Sequence, residues 1–188
     1  TITGESPDFS GQVSIDSVRV LINNEQALGT GPIAILPAGV LQLAPGGGNF
    51  EDAQLDLPNN VHLRGGELRG TNSVFRPQLL LGDLFVSDHS LISTVHMVGD
   101  THLADGSLLT AYGRDEVQLQ GDIHVGGHAK LEYGVSIVPD NTPTLDAGTV
   151  QLLGTIRSAA QNSVLDLVDR GLNEIVLDFF DRLKSVSR

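Results

Sequence analysis

A nine-residue phrase that occurs twice limits what this chain can fold into more than any other feature. Val95-His96-Met97-Val98-Gly99-Asp100-Thr101-His102-Leu103 is answered by Val117-Gln118-Leu119-Gln120-Gly121-Asp122-Ile123-His124-Val125, 22 positions later. Each copy holds an alternating apolar triplet, a Gly-Asp corner and a second alternating triplet. Alternation with period two is the pattern of a strand with one buried side. A unit so short cannot close a core alone, so copies must stack to bury their apolar sides.

Three more copies are legible. Val61-His62-Leu63-Arg64-Gly65-Gly66 starts one and Gln78-Leu79-Leu80-Leu81-Gly82-Asp83 another, while Val150-Gln151-Leu152-Leu153-Gly154-Thr155 follows the central pair. The five starts lie 17, 17, 22 and 33 residues apart. Constant triplets joined by variable loops fit a solenoid and fit a propeller of equal blades poorly. Positions one and three of each triplet should face inward, so that Val61 with Leu63, Val95 with Met97, and Val117 with Leu119 stack in successive coils. His62, His96 and Gln118 would then line an outer face. Gly at the corner is expected to supply positive φ, and the Asp after it to hydrogen-bond its own turn.

Upstream, residues 1–8 read as a leading loop or linker, and Gln12 to Leu21 alternates with β-branched residues, which favours strand over helix. Phe9-Ser10-Gly11-Gln12-Val13-Ser14-Ile15, then Asn24-Glu25-Gln26-Ala27-Leu28-Gly29-Thr30-Gly31-Pro32-Ile33, then Gly39-Val40-Leu41-Gln42-Leu43 resembles the autotransporter-associated β-strand repeat. That family's pattern is F-x-G-x-V-x-I, N-x-x-A-L-G-x-G-x-I and G-x-L-x-L. The resemblance covers about 35 residues after Asp8. It implies a right-handed parallel β-helix, of the kind built by long secreted bacterial surface proteins, and it implies no catalytic residue. The chain departs from the family at Ser17-Val18, where Gly is usual.

From Ser158 the period changes. Ser158-Ala159-Ala160-Gln161 has the form of a capping box, and Leu165, Val168, Leu172, Ile175, Phe179, Leu183 and Val186 recur at spacings of three and four. Asp166 and Asp169 early, with Arg182, Lys184 and Arg188 late, suit the helix dipole, and Asp178 with Arg182 forms an i, i+4 pair. Gly171 in its middle costs about 1 kcal/mol relative to Ala. This pattern predicts an amphipathic helix over 158–188. Leu165, Val168, Leu172, Ile175, Val176, Phe179, Phe180 and Leu183 would form its broad apolar stripe, serving as a cap on the solenoid or as an assembly surface.

Composition narrows the partners. With 11 basic against 23 acidic residues the net charge is −12, which disfavours nucleic acid and anionic membranes. No Cys is present, so neither a disulfide framework nor a thiolate metal site is available. No apolar run approaches the roughly 20 residues needed to span a bilayer. A Gly-rich, Cys-free, acidic repeat chain beginning at Thr1 is expected to be an exported protein with its leader removed.

Chemistry is weakly marked. Gly-Asp corners place Asp83, Asp100 and Asp122 in register, and His124 and His128 flank a glycine turn. Those five residues are the candidate metal ligands, for calcium or zinc, yet Asp after Gly also belongs in a turn for backbone reasons alone. No cofactor is assigned. Asp115-Glu116 and Glu51-Asp52 are carboxylate pairs, but adjacent strand residues point to opposite faces, and no nucleophile elbow or phosphate loop is present, so no catalysis is expected. The sequence thus predicts an all-β, right-handed parallel β-helix over 9–157 with a C-terminal helix over 158–188. Its expected role is a secreted structural or adhesive module, a rigid spacer or self-associating fibre subunit. The alternative is a carbohydrate-binding or polysaccharide-cleaving β-helix that uses an outer His/Asp face.

Overall fold

The computed structural model describes residues 1–44, 54–71, 78–112, 117–135 and 150–169. Among them the chain is all-β and forms three parallel sheets, an arrangement compatible with a β-solenoid. The first sheet stacks Val13–Ile15, Ile33–Ile35, Val61–Arg64, Leu84–Ser87, Thr101–Leu103, Ile123–Val125 and Ile156–Ser158. The second stacks Arg19–Ile22, Val40–Leu43, Glu67–Gly70, His89–Ser93, Leu108–Tyr112, His128–Val135 and Val164–Asp169. Asp56–Leu57, Gln78–Leu80, Val95–Met97, Val117–Leu119 and Val150–Leu152 make the third. The chain visits the sheets in rotation, so each strand hydrogen-bonds to its equivalent one turn away.

Register turns the alternating triplets into continuous inner columns. In the third sheet Leu57, Leu80, Met97, Leu119 and Leu152 are successive partners, 23, 17, 22 and 33 residues apart. Loop length therefore varies while the rung is conserved. The inward residues of all three sheets merge into one apolar cluster running the length of the stack. Gln78 takes an inward position, wholly buried, where its Oε1 accepts the Leu55 N–H at 2.7 Å.

The rung assigned to Val61 needs correcting. Val61 and Leu63 do not stack on Val95 and Met97; they belong to the first sheet, in register with Leu84 and Val86. The third-sheet partner of that turn is the short Asp56–Leu57 strand, whose pattern is too brief to read by alternation. The stretch from Gln12 to Leu21 likewise divides into two strands on different sheets, with a corner at Ser17.

Two kinds of corner hold the rungs together. Between the first and second sheets every turn contains one left-handed residue: Ser17 (φ 52°), Ala38 (60°), Gly65 (81°), Asp88 (59°), Gly106 (74°), Gly127 (81°) and Asn162 (59°). Ser17 thus adopts, without being glycine, a left-handed conformation that glycine takes most readily. The Gly-Asp corners between the third and first sheets differ from expectation, because none of their glycines has positive φ. A Cβ on Gly99 would lie 2.4 Å from the Gly82 carbonyl oxygen, and one on Gly121 would lie 2.3 Å from that of Gly99. Close stacking of successive backbones, and not φ, demands glycine.

The C-terminal helix is contradicted where the structure can be read. Ser158 ends a first-sheet strand, and Val164–Asp169 is a strand paired with His128–Val135 from His128↔Val164 to Tyr133↔Asp169. Leu165 and Val168 are therefore strand residues, and the Ser163 hydroxyl shapes the preceding turn by accepting the Ala160 N–H. An open sheet edge supplies hydrogen-bond partners for alternate residues of an added strand, whereas a helix must first form an unfavourable nucleus. Leu172, Ile175, Val176, Phe179, Phe180 and Leu183, with the Asp178–Arg182 pair and Gly171, lie outside the described residues.

Gly106 isolates the left-handed requirement, since an added Cβ there meets nothing within 4 Å. Gly106→Ala should lower stability by about 1 kcal/mol. Ala38→Gly, at an exposed corner, should raise it by somewhat under 1 kcal/mol after the unfolded-chain entropy is subtracted. Urea unfolding of both variants checks the pair of opposite signs.

Candidate functional site

Outward positions of the first sheet form a column because their strands are in register: Ala34, His62, Phe85, His102, His124 and Arg157 are successive partners. Four of these carry rings. Centroids of His62 and Phe85, Phe85 and His102, and His102 and His124 lie 4.6, 4.6 and 4.5 Å apart, tilted by only 11°, 7° and 9°. These separations match the strand spacing of about 4.8 Å, so stacking follows from the rung repeat. Each stacked pair adds roughly 0.5–1.5 kcal/mol beyond area burial. The column lines a groove of about 290 Å³ together with Arg64, Val86, Ser87, Leu103, Ala104, Gly126 and Ala159. Within the column, neighbouring ring faces cover one another.

A carboxylate ladder runs beside it at the Gly-Asp corners. Asn60 Oδ1 accepts the Asp83 N–H at 2.9 Å, Asp83 Oδ1 that of Asp100 at 3.0 Å, Asp100 Oδ1 that of Asp122 at 3.0 Å, and Asp122 Oδ1 that of Thr155 at 3.1 Å. Each side chain thus ties its turn to the next, not to itself as the sequence suggested. The second carboxylate oxygens reach the column: Asp100 Oδ2 is 3.1 Å from His124 Nε2, and Asp122 Oδ2 accepts from Arg157 Nε. The His124 hydrogen bond, then the Asp122 N–H, holds the Asp100 carboxyl below its ordinary value. The Arg157 hydrogen bond, then the Thr155 N–H, does the same for Asp122. Burial lowers the His62 imidazole, and nearby Arg64 adds to the effect.

The six histidines do not share one face. His62, His102 and His124 stand in the first sheet, His89 and His128 in the second, and His96 in the third. His128 Nε2 lies 2.8 Å from Asp166 Oδ2, and His89 Nε2 lies 3.1 Å from Thr110 Oγ1. The candidate pair His124 and His128 is therefore divided between sheets, each with its own carboxylate. Asp83 stays in the corner ladder. Among the described residues, the ligating atoms that converge belong to Asp100, His102 and His124, all within 4.8 Å of one another. His102 and Phe85 were missed as site residues, although His102 and His124 already correspond in the doubled phrase.

A second polar cluster lies on the second sheet. Arg69 Nε is 2.5 Å from Glu67 Oε1, its Nη2 donates to the Tyr112 hydroxyl at 2.5 Å, and that hydroxyl donates to Glu67 Oε1. Its guanidinium also sits 5.7 Å from the Tyr112 ring centroid. Burial, reinforced by the hydrogen bond to Glu67, pushes the Tyr112 phenol up to about 12. Arg69 and Tyr112 are two rungs apart, with small Ser93 between them in register. Every charge here has a partner, which suits a structural clasp.

No family model, curated protein or solved structure matches this chain.

His62 has its folded-state value below the ordinary 6.5. Its contribution is fully present above that value and is lost as pH falls through the lowered one. His62→Phe keeps a ring against Phe85 but removes the titration. The drop in urea midpoint between about pH 8 and about pH 5 should therefore be smaller in the variant than in the unaltered protein. An unchanged drop would remove His62 from the acid response.

Proposed function

We propose that this chain is a structural or adhesive module of a secreted bacterial surface protein, a right-handed parallel β-helix that acts as a rigid spacer or a self-assembling fibre subunit. Crossovers between parallel strands of one sheet are right-handed in about 98% of cases, which supports the hand. The Ala-Leu-Gly element of the autotransporter-like pattern agrees with this reading: Ala27 and Leu28 are buried, and Gly29 has φ 74° with the Phe9 carbonyl oxygen 2.1 Å from a would-be Cβ.

The observation that carries assembly is the last described rung. Among the described residues Ile156–Ser158 and Val164–Asp169 are the outermost strands of their sheets, and Leu153, Ile156, Val164 and Leu167 are exposed there. Val13–Ile15 ends the first sheet at the opposite pole. An end strand with apolar side chains invites pairing with another copy. Contact between opposite poles is heterologous and propagates into a filament. Sedimentation of the whole chain should reveal concentration-dependent association, and electron micrographs should contain rods. Ile156→Lys combined with Leu167→Lys should abolish association while leaving the far-ultraviolet circular dichroism of the β-fold. Monomers at every concentration would sink self-assembly and leave the spacer role.

A second reading is favoured by the first-sheet groove, whose His62, Arg64, His102 and His124 could receive an acidic polysaccharide through hydrogen bonds in an otherwise acidic protein. Calorimetry against polygalacturonate, with and without calcium, should then give heat that Arg64→Ala diminishes. Absence of heat in both conditions removes this reading. No catalytic step is part of either.

A further inference from the structure

We propose that Asp100, His102 and His124 form a binding site for a divalent transition-metal ion of the zinc class on the outer side of the first sheet. Two imidazoles and one carboxylate are a recurrent donor set for such ions, and a three-ligand protein site leaves a fourth position to water. Two imidazole donors also disfavour calcium, which takes oxygen ligands.

The position of each donor is set by the fold. His102 and His124 are direct register partners on adjacent strands, and Asp100 occupies the corner before the first of these strands, two residues ahead of His102. Asp100 Oδ1 is anchored by the Asp122 N–H at 3.0 Å, which leaves Oδ2 directed at His124 Nε2, 3.1 Å away. Ligating carboxylates are commonly held by such a hydrogen bond on their other oxygen. Asp122 is not a fourth donor: it is ion-paired with Arg157 and lies outside the set of converging ligand atoms.

The required rearrangement is small and specific. Zinc sits about 2.0–2.2 Å from nitrogen and oxygen ligands, so donor atoms now spread over as much as 4.8 Å must draw together. The two imidazole planes are tilted by only 9°, so their in-plane lone pairs run side by side and do not meet. Binding must tilt the rings toward one another and break the His102–His124 stack. His124 and Asp100 side chains are 26% and 44% exposed, which leaves room for this tilt without moving the core.

The test uses the whole chain, stripped with a chelator and titrated with zinc chloride by calorimetry, alongside proton NMR of the imidazoles. Expected are one ion per chain and shifts of the His102 and His124 ring signals, with those of His89 and His96 unmoved. His102→Phe and His124→Phe preserve a ring in the column, as Phe85 already does, so each should keep the melting temperature while weakening zinc affinity at least tenfold. Asp100→Asn retains the acceptor for the Asp122 N–H and should weaken it by about 10–100-fold. Absence of zinc heat in the unaltered chain overturns the proposal. So does heat that survives both Phe substitutions, which would place the ion elsewhere, such as at His128 and Asp166.

Discussion

Among the described residues each rung is held to the next by parallel backbone hydrogen bonds, in register except for a bulge where Leu108–Tyr112 meets His128–Val135, and the remaining features follow from that repeat. Since strands of one sheet lie about 4.8 Å apart, a residue type placed at one position meets its equivalent at nearly van der Waals distance. Apolar residues so placed become inner columns such as Leu80, Met97 and Leu119. A turn may be lengthened without disturbing this contact, because the loop leaves the rung before it changes length.

Stacking also decides the chemistry of the corners. Where the second sheet begins, the chain reverses through a left-handed residue, and Ser17, Ala38, Asp88 and Asn162 accept that conformation in place of glycine. Where the first sheet begins, glycine is required for a different reason: backbone passes directly over backbone, as Gly121 does over the Gly99 carbonyl. The Asp that follows uses one oxygen to satisfy the next turn's N–H. Its second oxygen is thereby aimed outward, which is how a structural ladder produces the Asp100–His124 contact.

The outer surface repeats the same logic with polar groups. His62, Phe85, His102 and His124 stack because they are neighbours in the first sheet, while His96 and His128 are carried to other sides of the molecule. Glu67, Arg69 and Tyr112 meet across two rungs on the second sheet, where each neutralises or hydrogen-bonds another. Among the described residues, exposed apolar side chains such as Leu153, Ile156, Val164 and Leu167 gather at the last rung, on which the proposed assembly rests.

Alternation and the recurrence of the Gly-Asp phrase were sufficient to recognise stacked parallel strands, because a period of two is written into consecutive residues and the phrase marks each repeat. The reason for its glycine, backbone passing over backbone, is tertiary. Which triplets share a sheet was not local. Val61-His62-Leu63 reads like Val95-His96-Met97, and only the rotation of the chain through three sheets separates them. The spacing of Leu165 and Val168 suited a helix, yet pairing with His128–Val135 made them strand, since a neighbouring edge outweighs local propensity. The same distinction governs the candidate site. Sequence determined that His102 and His124 hold equivalent places in a repeat; tertiary structure decided that Asp100 would join them and that His128 would not, because registry and the turn-to-turn hydrogen bond set side-chain direction across strands.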